Sequence, residues 1–157
     1  MVETITAESP ADSFAAAAQM LHDFNLEYDE PSPPPSELAA RLTELVAAGG
    51  ILVLVGRSSD TGTPVGVAVV RLMASLWSQG QEAYLAELYV VPDHRGEGYG
   101  RELITQAMDA SRAQGADYAF LITSEEDQLA QRLYEAAGFR RTEGEDGPLM
   151  LAYEREL

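Results

Sequence analysis

Tyr84-Leu-Ala-Glu-Leu-Tyr-Val-Val-Pro-Asp-His-Arg-Gly-Glu-Gly-Tyr-Gly-Arg101 decides how this chain is read. An apolar strand runs into a loop with glycines at 96, 98 and 100, and that loop opens a helix. Glycine lets the backbone approach a ligand closely, and a helix start offers unpaired N–H groups at the positive end of its dipole. Such a junction is a phosphate cradle; a plain glycine-rich strand-to-helix turn is the alternative. The spacing is G-x-G-x-G, not the G-x-G-x-x-G of a dinucleotide fold, and the loop lies two-thirds along the chain instead of in a leading βαβ unit.

Outward from this loop, the rest of the chain reads as alternating elements. Upstream, Val2–Thr6 reads as a short edge strand, and Ser9-Pro10 before Asp12 as a helix start with the serine as cap. Phe14, Ala18 and Leu21 mark that helix's inner face. Four prolines between Tyr28 and Pro35 make a loop. Ser36 restarts a helix whose inner face is Leu38, Leu42, Leu45 and Val46, and Gly49-Gly50 ends it. Ile51–Val55, Val65–Met73 and Ala83–Val91 predict an antiparallel three-strand meander. Downstream, Arg101–Gln114 reads as an amphipathic helix, Tyr118–Thr123 as a strand, Asp127–Ala137 as a helix and Leu149–Tyr153 as a last strand. The plan is a mixed α/β sheet.

Composition narrows the chemistry. A chain of 157 residues suits one domain. It has no cysteine and only His22 and His94, so neither thiolate chemistry nor a metal centre is expected. All ten basic residues are arginine, which excludes a Schiff-base lysine and the lysine of a Walker loop. The net charge of −16 disfavours nucleic acid and anionic membranes and favours cationic partners. No apolar run reaches the ~20 residues of a membrane span, and no signal pattern opens the chain, so a soluble cytoplasmic protein is expected.

The remaining pattern, Arg95-x-x-Gly98-x-Gly100, resembles the signature of the GNAT superfamily of acetyl-CoA-dependent N-acetyltransferases. A second stretch is similar to that superfamily's Asn-x-x-Ala-x-x-Leu-Tyr-Glu-x-x-Gly-Phe segment: Asp127, Ala130, Leu133, Tyr134, Glu135, Gly138 and Phe139 stand at matching positions. Asp127 departs from the pattern by replacing the asparagine. The resemblance implies a GNAT fold over residues 1–157, with a mixed sheet of six to seven strands and about four helices. It implies acetyl transfer from acetyl-CoA, as co-substrate, to the primary amine of a small molecule. Acetylation of a protein N-terminus and a non-catalytic acyl-CoA sensor are the alternative readings. Dimerisation is common in that superfamily, and no residue here demands it.

Residue by residue, the resemblance implies that Leu88, Tyr89, Val90 and Val91 splay from Tyr118–Thr123 and take the pantetheine arm as a strand. Backbone N–H groups near Tyr89 and Val90 would polarise the acetyl carbonyl. Arg95, Gly96, Glu97, Gly98, Tyr99, Gly100 and Arg101 would hold the pyrophosphate, and Asp127 would stand near the cofactor. Glu87, a carboxylate within an apolar strand, is the candidate base, with a solvent-facing glutamate as the alternative. His94 carries the side chain most used as a base near neutral pH, but it lies in the phosphate loop. Tyr134 matches the family's acid for the leaving thiolate, with core packing as the alternative. Asp23, Glu27, Asp29 and Glu30 cluster where the superfamily borders its acceptor site, and Phe24, Tyr28 and Trp77 are candidate apolar walls.

Overall fold

The computed structural model describes all 157 residues, Met1–Leu157. Its elements run β1 (Val2–Ile5), α1 (Ala11–Glu27), α2 (Pro35–Ala48), β2 (Ile51–Arg57), β3 (Pro64–Ala74), β4 (Gln81–Val90), a single turn of 3₁₀ helix (Pro92–His94), α3 (Tyr99–Ala113), β5 (Ala116–Leu121) and α4 (Gln128–Ala136). The strands form one sheet in the order β1-β2-β3-β4-β5, and β1 to β4 pair antiparallel. At the other edge, Gln81 N–H donates to Gly115 O and Tyr84 stacks on Phe120, so β4 and β5 advance in the same direction. α3 is the crossover between them, as a parallel pair requires.

β2 and β3 are continuous apolar runs because both of their faces are covered. Val53, Val55, Val67 and Val69 join Phe14, Ala17, Ala18 and Met20 of α1 and Leu42 of α2 in one buried cluster. The alternate residues turn to the opposite face. There the side chain of Leu103, fully buried in α3, lies under Gly56 and Gly66, and a Cβ at Gly66 would come within 2.8 Å of it. The chain divides into two compact units, Met1–Phe120 and Leu121–Leu157. No helix is long and apolar enough to cross a membrane.

The four expected helices form, but the sheet has five strands where six to seven were expected. The missing strand is Leu149–Tyr153. Only an isolated bridge, Thr142 to Leu149, forms there, while Leu149, Leu151 and Tyr153 are exposed. An apolar run becomes a strand only where a neighbour takes its backbone groups, and here only one bridge closes across a local turn, with Glu143 N–H donating to Pro148 O and Met150 N–H to Arg141 O. Nor does Ser9 cap α1. Pro10 holds the cap position, while the Ser9 hydroxyl accepts from Thr6 N–H at 3.0 Å in the preceding turn.

Candidate active site

The strand β4 carries one extra residue. Val69 of β3 stands opposite Glu87, yet its neighbour Val70 stands opposite Leu85, so Ala86 is a bulge. Directly opposed residues share a face. Ala83 and Leu85 therefore turn to the α3 side with Leu72 and Val70, whereas Glu87 and Tyr89 turn to the α1–α2 side with Val69 and Val67. Without the bulge, strict alternation would send Glu87 to the same side as Leu85. A bulge re-aims a side chain, and here the one re-aimed is the candidate base.

Glu87 is partly buried, and desolvation raises its pKa above the ordinary glutamate range, against a smaller lowering by the Arg71 charge. Two residues beyond it, buried Tyr89 stacks on Phe24 of α1 at 5.3 Å between ring centroids, and Phe24 meets Tyr28 edge-on at 5.3 Å. Phe24 and Tyr28 thus stand together beside the end of β4. Trp77 does not join them. It is 90% exposed in the β3–β4 hairpin loop, and the length of β4 separates the two places by roughly 25–30 Å at ~3.4 Å per residue.

Beyond Glu87 the strand has an open edge. β4 and β5 start level, but β4 has ten residues and β5 six, so the last residues of β4 run past the end of β5. Val91 N–H donates to Val65 O on the β3 side. Alternation then sends the backbone groups of Val90 and Leu88 away from β3. Val90 O confirms this direction by accepting from Arg95 Nε at 2.9 Å.

The loop that follows is shaped by its glycines. Gly96 and Gly98 have φ of +82° and +95°, the left-handed region that other residues avoid, and nothing lies within 4 Å of where a Cβ would stand on either. The main chain of Gly98 caps α3, whose first turn closes with Glu102 N–H donating to Gly98 O at 3.1 Å. N–H groups from Gly98 to Arg101 therefore face out of the helix start. The side chains of the loop are engaged locally: His94 Nδ1 meets Glu97 Oε2 at 2.9 Å, and the His94 ring stands edge-on to Tyr99.

Two candidates take unexpected partners. The Arg95 guanidinium donates to both carboxylate oxygens of Glu27, at 2.8 and 2.7 Å. Asp127, in the second unit, caps α4 by accepting from Ala130 N–H at 3.0 Å. Asp caps a helix as well as Asn does, so the departure from the asparagine pattern costs α4 nothing. In the same unit Tyr134 lies on α4 with its ring 6.3 Å from that of Phe139. Sequence reading missed the bulge at Ala86, the proximity of Arg71 to Glu87 and the Glu27–Arg95 pair. The pair joins residues 68 apart, and neither charge is distinctive alone.

Residues 17–139 match the family model described as Acetyltransferase (GNAT) family. A crystal structure from Arthrobacter sp. FB24, described as that of a presumed acetyltransferase, is similar over the whole of this chain and 96% of that one, with 37% identity and a TM-score of 0.85. Among curated relatives, the mycothiol acetyltransferase of Beutenbergia cavernae is 39% identical over 71 residues, 43% of this chain and 24% of that protein. The glucosamine 6-phosphate N-acetyltransferase of Trypanosoma brucei brucei is 30% identical over 114 residues, 71% of this chain and 76% of that protein. The matched segment thus spans about a quarter of the length of the mycothiol acetyltransferase.

Proposed function

The chain belongs to the acetyltransferase (GNAT) family, and from that premise we propose that it moves an acetyl group from acetyl-CoA to the primary amine of a small molecule. The observation that carries the proposal is the succession of three parts along β4 and just beyond it: the re-aimed Glu87, the open edge at Leu88–Val90, and the glycine-shaped start of α3. The cradle fits an anionic diphosphate, because two left-handed glycines leave clear space before outward-facing N–H groups. Gly96 to Arg101 would hold the diphosphate of acetyl-CoA, and Leu88 to Val91 its pantetheine arm. When bound, acetyl-CoA supplies the activated thioester.

On this reading Glu87 takes the proton from the attacking amine, directly or through water. Its raised pKa brings it nearer to neutral pH, where a base works best. Val90 N–H, facing the open edge, would polarise the acetyl carbonyl. From the resemblance of Asp127–Phe139 to the family segment, Tyr134 is read as the acid for the departing thiolate. We read residues 1–157 as one such domain. Phe24 and Tyr28 wall the acceptor side, and the relative named for N-acetylation of glucosamine 6-phosphate supports nitrogen as the acceptor atom. Asp23, Asp29 and Glu30, with the net charge of −16, favour a cationic amine.

Calorimetric titration with acetyl-CoA tests the donor side. Saturable one-site binding is expected, and its absence would overturn the proposal.

A further inference from the structure

Arg95 stands in the loop assigned to the diphosphate, but its side chain is committed elsewhere. Nε holds Val90 O at the end of β4, and the two terminal nitrogens hold both oxygens of Glu27, the last residue of α1. The guanidinium also lies over the Tyr89 ring, with Cζ 5.6 Å from its centroid. A planar fork bound bidentately on one side and to a carbonyl on the other is fixed in orientation, which a lysine could not reproduce. Glu27 needs such a partner. It puts a carboxylate at the negative end of the α1 dipole, and the last turn of α1 holds no cation. The pair is only partly exposed, at 45% and 31% for the two side chains.

We propose that Glu27 and Arg95 form a strut between the end of α1 and the end of β4, positioning the acceptor wall of Phe24 and Tyr28 against Tyr89, and that the Arg95 guanidinium is not a ligand of the donor's phosphates. Both wall residues lie within four positions of Glu27, so releasing the end of α1 releases them together. The proposal deepens the acetyl-transfer reading and rests on it for its kinetic consequences. It also removes Glu27 from the acidic residues free to attract a cationic acceptor, because its charge is already matched.

The test uses the full-length protein with Glu27→Gln, Arg95→Met and the double variant, each first checked for a cooperative thermal transition. Acetyl-CoA affinity is measured by calorimetry, and acceptor KM with a primary amine that the protein turns over. Each single change is expected to raise acceptor KM about three- to tenfold, with kcat and acetyl-CoA affinity held within about twofold. The double variant is expected to be no worse than either single one, as for two residues acting through one contact. A tenfold or greater loss of acetyl-CoA affinity in Arg95→Met but not in Glu27→Gln would make Arg95 a phosphate ligand and overturn the strut. Additive effects on KM, or no effect on any quantity, would overturn it equally. Should no amine be turned over, the acetyl-transfer reading fails separately. The strut then stands or falls on whether the two substitutions are non-additive in the midpoint of thermal unfolding while acetyl-CoA affinity is unchanged.

Discussion

As the proposed base, Glu87 would set chemistry and stability pulling in opposite directions. A carboxylate taken out of water favours its protonated form, and the folded protein holds Glu87 above the ordinary glutamate pKa for that reason first. A raised folded pKa contributes stability below the unfolded pKa and loses it as pH rises through the folded one, so ionised Glu87 is a burden at neutral pH. Glu87→Gln is therefore expected to lower kcat about 10²–10⁴-fold while the melting temperature at pH 7 stays level or rises. A fall in both would mark Glu87 as structural. Only the ionised form accepts a proton, so activity is expected to rise with pH through that raised pKa. Arg71 is the one charge that pulls the pKa down. In Arg71→Gln the acidic limb of the kcat/KM profile is expected to move to higher pH, and an unmoved limb would separate Glu87 from the rate.

Among the elements, the loop after β4 is proposed to hold the diphosphate through backbone conformation, and glycines test this cleanly. Gly98 and Gly62 both hold positive φ, +95° and +71°, with open space before each; Gly62 lies in the β2–β3 turn, at the same end of the sheet as the cradle but outside it. Gly98→Val and Gly62→Val are expected to cost comparable stability, about 1–3 kcal/mol of backbone strain each. Calorimetry is expected to show acetyl-CoA binding lost only in Gly98→Val; equal affinities in the two variants would mean that the loop holds no phosphate. This loop was legible in the sequence because three glycines at a strand-to-helix junction need no knowledge of the rest of the fold. The central strands were legible for a similar reason, since Val, Ile and Leu runs covered on both faces are unbroken. The bulge at Ala86 was hidden, because residues 81–90 carry no local mark of the register that β3 imposes. The same dependence on a partner misled the reading of Leu149–Tyr153, whose apolar residues look like a strand but pair at one point only.

Over the whole molecule, a net charge of −16 built without a single lysine sets the field that any substrate meets. That field was plain in the composition, but which acidic residues remain free to act was not. Glu27 is matched by Arg95, whereas Asp23 Oδ1 accepts from the neutral side-chain amide of Gln19 at 2.8 Å. Exposed charges are screened beyond ~8–10 Å at physiological ionic strength. Raising salt is therefore expected to increase KM for a diamine more than for an amine with a neutral tail, with kcat for both little changed; equal responses in steady-state assays would reduce the acidic loop to solvated surface. Acetyl transfer to nitrogen is tested by the release of CoA thiol from acetyl-CoA across a panel of primary amines, with the acetylated product identified by mass. Turnover with at least one amine is expected, its mass raised by one acetyl group on nitrogen. Tight acetyl-CoA binding with no thiol release beyond the amine-free control across the panel would contradict it and leave an acyl-CoA-binding protein in its place.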